Sequence, residues 1–199
     1  MKVVEYRGAR NLVYAPITED SDENFTTGTV KPFAGVAEIS KSSESSSEAH
    51  YYDNAPMVVV SSIGADTVTL TVSAIPYDVL ADANGQYYDA AKGMYVESEL
   101  KTVYFAIGYI TENTDGEEIY VWRLKGTFSV PDEDSKTKDN TTDANGQEII
   151  FTGVKTKHKF TANDDGAKAV YVNTAINTSV EEDTFFATVA TPDTVPTPL

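Results

Sequence analysis

The sequence predicts a predominantly β domain with long polar loops. Three observations carry that reading: apolar residues recur with a period of two, Asn-Gly and Asp-Gly pairs punctuate the chain, and helix signals are few. In DTVTLTVSA, residues 66–74, Val68, Leu70 and Val72 fall on one face while Thr67, Thr69, Thr71 and Ser73 fall on the other. That alternation is the mark of a half-buried strand, because successive side chains of a strand point to opposite faces.

The remaining elements follow in chain order. Short strands are expected at residues 10–15, 34–40, 48–52 and 56–61, with KSSESSSEAH, residues 41–50, as a polar low-complexity loop. After the strand at 66–74, AIPYDVLADANG reads as a short helix: its proline suits the first turn, Leu80 is spaced from Ile75 and Val79, and Asn84-Gly85 stops it. TVYFAIGYIT, residues 102–111, is apolar on both faces and so is expected to be covered on both sides.

The segment from 117 to 130 holds the chain's single Trp, with Tyr120, Trp122, Leu124 and Phe128 together against Val121, Arg123, Lys125 and Thr127. In EIIFTGVKTKHKF, residues 148–160, Ile150, Val154 and Phe160 share a face with Thr152, Thr156 and His158, opposite Phe151, Gly153, Lys155, Lys157 and Lys159. A last strand is expected at 168–173, and EEDTFFATV, residues 181–189, as one short helix with acids in its first turn. Asn84-Gly85, Asp115-Gly116, Asn145-Gly146 and Asp165-Gly166 all suit tight turns. DANGQ occurs twice, at 82–86 and 143–147, but its flanks differ and no repeat architecture follows. No composition break divides residues 1–199, so one domain is expected, with mobile segments at 1–9 and in the proline-rich tail 191–199.

Composition narrows the function. The chain has 199 residues and 41% hydrophobic content, enough for a real core. Its net charge of −16 comes from 31 acids against 15 bases, a balance that repels nucleic acid, whose affinity depends on Lys and Arg contacts to phosphate. There is no cysteine, hence no disulfide framework, thiolate metal site or Cys nucleophile. No apolar run is long enough for a membrane-spanning helix, and MKVVEYRGARNLVYAP lacks the pattern of a secretory signal.

Chemistry-bearing motifs are sparse. The two histidines, His50 and His158, lie far apart, and no G-x-S-x-G elbow or phosphate-cradling glycine loop is present. The acidic clusters at 19–23, 132–134, 164–165 and 181–183 invite a calcium reading. The EF-hand spacing fails at both DANGQ sites, since Leu80 would take the first ligand position in one and Thr152 the bidentate Glu position in the other. The expectation is therefore no catalytic residue, no metal, no cofactor and no enzymatic activity. Such a domain exposes strand edges that must be paired, covered or charged, and other copies of the same chain are one way to pair them.

The ordered set RNLVYAPITED, FAGVAEISKS, YYDNAPMVVVSSIGADTVTLTV, IPYDVLADANGQYYDAAKGMY and YVWRLKGTFSVPDEDSKTKDN, then FTG and a basic strand, resembles the phage major tail proteins of the phi13 type over roughly residues 10–190. The resemblance implies a β-sandwich or open barrel with a short flanking helix, whose long hairpins join into a barrel shared between subunits. It further implies a tail tube subunit of a non-contractile virion tail, assembled in the host cytoplasm. Such subunits close into rings, with six copies suggested, and the stacked rings conduct DNA during ejection without binding it specifically. The partners implied are other copies of the chain and the tape-measure, terminator and distal tail proteins, with no membrane.

On that basis residues 117–130 and 148–160 are expected to be the arms of one long hairpin with 131–147 as its charged tip. Pro131 ends the ladder, and Asp132, Glu133, Asp134, Lys136 and Lys138 are the expected inter-ring contacts. Trp122, Phe128, Phe151 and Val154 are the expected interface positions on its strands. A six-membered ring carries six times the −16 of one chain, which favours an acidic lumen. No lumen residue is assigned, and Lys155, Lys157 and Lys159 are expected to meet acids or the exterior. The alternative is a monomeric extracellular β-sandwich binding module of the carbohydrate or adhesion type, which would give the 12 tyrosines a role in stacking on sugars. A needle-tube or secretion-system relative and a hydrolase are more distant readings.

Overall fold

A computed structural model describes residues 4–52, 55–133 and 146–198, with backbone alone for 51–52 and 55–61. The chain is mainly β and its principal sheet curls into a half-barrel. In order, the elements are β1 (Tyr6–Asp20), β2 (Phe25–Thr27), β3 (Lys31–Pro32), β4 (Val36–Tyr52), β5 (Ala55–Val72), α1 (Tyr77–Asn84), β6 (Tyr87–Asp89), β7 (Met94–Val96), β8 (Phe105–Asn113), β9 (Glu118–Phe128), β10 (Gln147–Gly153), β11 (Ala169–Asn173) and α2 (Glu182–Phe185). The large sheet has nine strands in the path β2-β1-β8-β9-β10-β5-β4, with β3 joined to β1 and β11 to β9. A separate small hairpin joins β6 to β7.

Both faces of the central strands are buried, as the apolar run in β8 requires. On one face Leu12 and Tyr14 of β1, Phe105 and Ile107 of β8, and Val68, Leu70 and Phe151 pack with Val79 and Leu80 of α1. On the other, Val13 and Ala15, Ala106 and Ile110, and Tyr120, Trp122 and Leu124 lie under β11 and the C-terminal segment with Phe185, Phe186 and Val189. Consecutive residues of one strand thus enter opposite cores. Tyr14 also ties β1 to the helix, its hydroxyl donating to Asp82 Oδ2 at 2.8 Å.

Two bulges shape β1. One extra residue lies between the pairs Arg7↔Glu112 and Ala9↔Thr111, where Gly8 takes φ +68°, and another between Arg10↔Ile110 and Val13↔Gly108, where Asn11 takes φ +55°. Bulges bend and twist a strand locally, and here they sit where the sheet curls. The helix α1 forms as the sequence predicts, with Pro76 at its N-cap and Gly85 in the left-handed conformation at its end.

Several expectations need correction. The predicted polar loop at 41–50 is instead part of β4, and the four short strands expected between 34 and 74 merge into β4 and β5. These two strands form the long hairpin of this chain. The predicted hairpin of 117–130 with 148–160 is short: β9 and β10 pair at Gly126↔Gly153, Thr127↔Thr152 and Phe128↔Phe151, with one more backbone bond at each end, Val154 N to Lys125 O and Ser129 N to Ile150 O. The reason is competition for edges. β11 occupies the same border of β9 from Ile119 to Arg123, and β5 pairs with the whole of β10, so residues beyond Gly153 find no free ladder.

The expected loose ends are also partly tied down. Tyr6, Arg7 and Ala9 already pair with β8. In the proline-rich tail, Asp193 accepts the backbone N–H groups of Thr161 and Ala162 at 3.0 and 2.8 Å. Pro196 O accepts from Asn177 Nδ2 at 2.7 Å, and Val195 packs against the second core.

Candidate assembly surface

Only Asp66 to Val72 of β5 pair with β10, whereas β5 pairs with β4 out to Tyr52↔Ala55. Beyond Asp66 the hairpin is therefore a two-stranded ribbon, roughly 35 Å long at about 3.3 Å per residue. Residues 41–50 are exposed throughout, Ile63 is 73% exposed, and the ribbon is stitched by the hydroxyls of Ser46 and Ser62 at 2.7 Å. Among the described residues no strand pairs with the outer border of β4. A lone hairpin is marginally stable in water, and an open border offers unpaired N–H and C=O groups to another chain.

The root of the ribbon is fixed by charge. Asp66 of β5, 5% exposed, accepts from Ser43 of β4 at 2.8 Å and lies 3.4 Å from Arg123 of β9, 3.3 Å from Lys168 and 3.7 Å from Lys41. Burial alone would raise the Asp66 carboxyl, but the Ser43 hydroxyl and the Lys168 and Lys41 charges outweigh it and hold the group below its usual value. Arg123 Nη2 donates to the hydroxyls of both Tyr109 and Tyr171, at 3.1 and 2.9 Å. A second buried carboxylate, Asp20, binds Lys125 Nζ at 2.5 Å and the backbone N–H groups of Lys157 and His158. These partners likewise overcome burial and lower its pKa.

Of the predicted contact residues, Asp132 and Glu133 are exposed just past the β9–β10 pairing, and Pro131 is buried. Asp134, Lys136 and Lys138 lie outside the described residues. The last rung before this loop is Ser129 N donating to Ile150 O at 2.8 Å. Trp122 and Phe151 are 0% exposed inside the chain's own two cores, and Phe128 is half-buried against Phe33, Phe105 and Phe151 at ring separations of 5.0–5.4 Å. Val154 is half-buried where its N–H donates to Lys125 O. Both faces of β9 are covered by the chain itself from Tyr120 to Leu124, while Ile119 and Phe128 near its ends are half-buried.

Lys155 and Lys157 meet acids within the chain, at 2.5 Å to Asp165 and 3.3 Å to Asp22. Sequence reasoning missed Asp66, Arg123, Tyr109 and Tyr171 as a group. The available signal was Arg123 itself: a guanidinium flanked by Trp122 and Leu124 in a strand covered on both faces must find a buried partner. Among the described residues no three His, Asp or Glu side chains gather as metal ligands, and no helix is long and apolar enough to cross a membrane.

No protein-family model and no curated protein matches the chain.

Proposed function

We propose that the chain is a self-assembling structural subunit of the tail-tube kind, closing into rings whose stacking makes a conduit for DNA in a phage virion. The single observation that carries this reading is the β4–β5 ribbon, whose outer border along β4, and whose β5 border beyond Asp66, pair with no other strand among the described residues. Pairing such a border with a neighbouring copy satisfies its backbone groups, and a head-to-tail contact of this type closes into a ring or propagates as a filament. The half-barrel supports the same reading, because a curled open sheet completes its curvature by joining others. The net charge of −16 per chain suits a passage that DNA traverses without adhering. The tape-measure, terminator and distal tail proteins are the partners such a tube requires.

Negative-stain electron microscopy tests it. Purified full-length chain is expected to form rings or stacked rings, and a variant lacking residues 45–63, which keeps the ladder at Asp66 to Val72, is expected to remain a folded monomer. Rings formed equally well by the shortened chain overturn the role of the ribbon. A full-length chain that stays monomeric and binds glycans supports the sugar-binding module instead, for which the stacked pair Tyr77 and Tyr95, with Tyr77 exposed, is the candidate platform.

A further inference from the structure

Where β4 comes back against β1, a cleft of about 500 Å³ is lined by Tyr6, Ile39, Lys41, Tyr109, Arg123 and Tyr171 among others. In a chain with twice as many acids as bases, the charged side chains lining this cleft are both cations. Asp66 faces Arg123, Lys41 and Lys168 together, so one negative charge answers three positive ones there. Arg123 has a side chain 3% exposed, and its Nε–H has no acceptor among the described residues. A buried donor without a partner is costly, and an ordered water, an ion or an acceptor from another chain relieves it.

The two tyrosines sharpen the chemistry. Each hydroxyl accepts a hydrogen bond from Arg123 Nη2, so each still has its own proton to donate, and neither has an acceptor among the described residues. Burial raises the Tyr109 pKa, so that hydroxyl keeps its proton at neutral pH. Two O–H donors polarised by one guanidinium, with Lys41 at the rim, form an oxyanion site.

We infer that this cleft takes a carboxylate side chain from a second copy of the chain, held by the Tyr109 and Tyr171 hydroxyls and the Lys41 ammonium over the Arg123 charge. Charge complementarity selects the occupant. Every other copy presents a surface with a large excess of Asp and Glu, while the same excess repels polyanions from the whole molecule. The cleft also lies at the root of the β4–β5 ribbon, where a neighbour engaging that ribbon would arrive. The identity of the occupant rests on the assembly reading above; the anion site itself does not.

Two measurements separate these parts. In NMR titration of the full chain, N-acetyl-glutamate at millimolar concentration is expected to shift the amides of Lys41, Thr111 and Tyr171, and Tyr171→Phe is expected to weaken that binding about fivefold by removing one donor. No shift, or the same shift in Tyr171→Phe, overturns the site; shifts with inorganic phosphate but not N-acetyl-glutamate overturn the carboxylate. In sedimentation velocity, Lys41→Glu is expected to weaken self-association about tenfold. Lys92→Glu, the same charge change on the exposed β6–β7 turn, is expected to leave association unchanged. Equal association of Lys41→Glu and the parent overturns the second copy as occupant. A parent chain that never associates overturns the assembly reading and this occupant, while the titration still decides the anion site.

Discussion

The indole Nε1 of Trp122 donates to the carbonyl oxygen of Phe185 at 3.1 Å, joining the central strand β9 to the short helix α2 across a fully buried contact. The Trp122 ring also lies 5.7 Å from that of Phe186, so the C-terminal segment is held by both a hydrogen bond and aromatic packing. Trp122→Phe removes the donor, leaves the Phe185 carbonyl without it and opens space. It should cost about 2–3 kcal/mol, read as a lower urea midpoint at unchanged m-value.

The carboxylates Asp66 and Asp20 predict acid sensitivity. Both are held below their usual values in the folded chain, so below neutrality the unfolded chain takes up their protons first. Stability from these groups is fully present above the unfolded carboxyl value of about 3.9 and is lost as pH falls through the lower folded values. Thermal melts from pH 7 downward should therefore stay level until about pH 4 and then drop. Asp66→Asn leaves Arg123, Lys41 and Lys168 without their shared counter-charge, and should cost on the order of 3–5 kcal/mol at pH 7. The variant should also show a shallower acid limb in the same melts.

Gly126 marks where β9 first pairs with β10. A Cβ there would stand 2.3 Å from Phe151 Cζ and 2.5 Å from the Thr152 carbonyl oxygen, closer than atoms can approach. Gly126→Ala must push the two strands apart or move the Phe151 ring out of its core, at a cost of about 1–3 kcal/mol. Gly116→Ala is the comparison, since nothing lies near its Cβ; its cost comes only from φ +82°.

Asp193 fixes the tail by a different means. The backbone N–H groups of Thr161 and, next, Ala162 hold its carboxyl below the usual range. Asp193→Ala should speed hydrogen exchange at those two amides and admit protease to the tail, with the amides of β8 unaffected.

Much of the β architecture was legible because alternation reports burial directly. Val68, Leu70 and Val72 are 0–1% exposed, and the paired-face burial expected for the strand around Tyr109 is present in β8. The helix α1 was readable from Pro76 and Gly85 because capping chemistry is local. What failed was nonlocal. Serine and glutamate at 41–50 favour loops, yet pairing with the strong strand 66–72 draws them into β4 and carries the ladder outward. The alternation in 148–160 continues past Gly153, but sequence cannot show that β11 has already taken the border it needs. Arg123 and Asp66, 57 positions apart, meet only because β9 and β5 flank β10.

The outer border of β4 carries Ser42, Ser43, Ser45, Ser46 and Ser47 with Glu44 and Glu48. Small hydroxyls and like charges make a poor adhesive, so any strand that settles there gains backbone bonds but little side-chain grip. On the assembly reading proposed above, attachment of that quality would come undone easily: a strand laid down one residue out of step would lift off and try again before later contacts lock it.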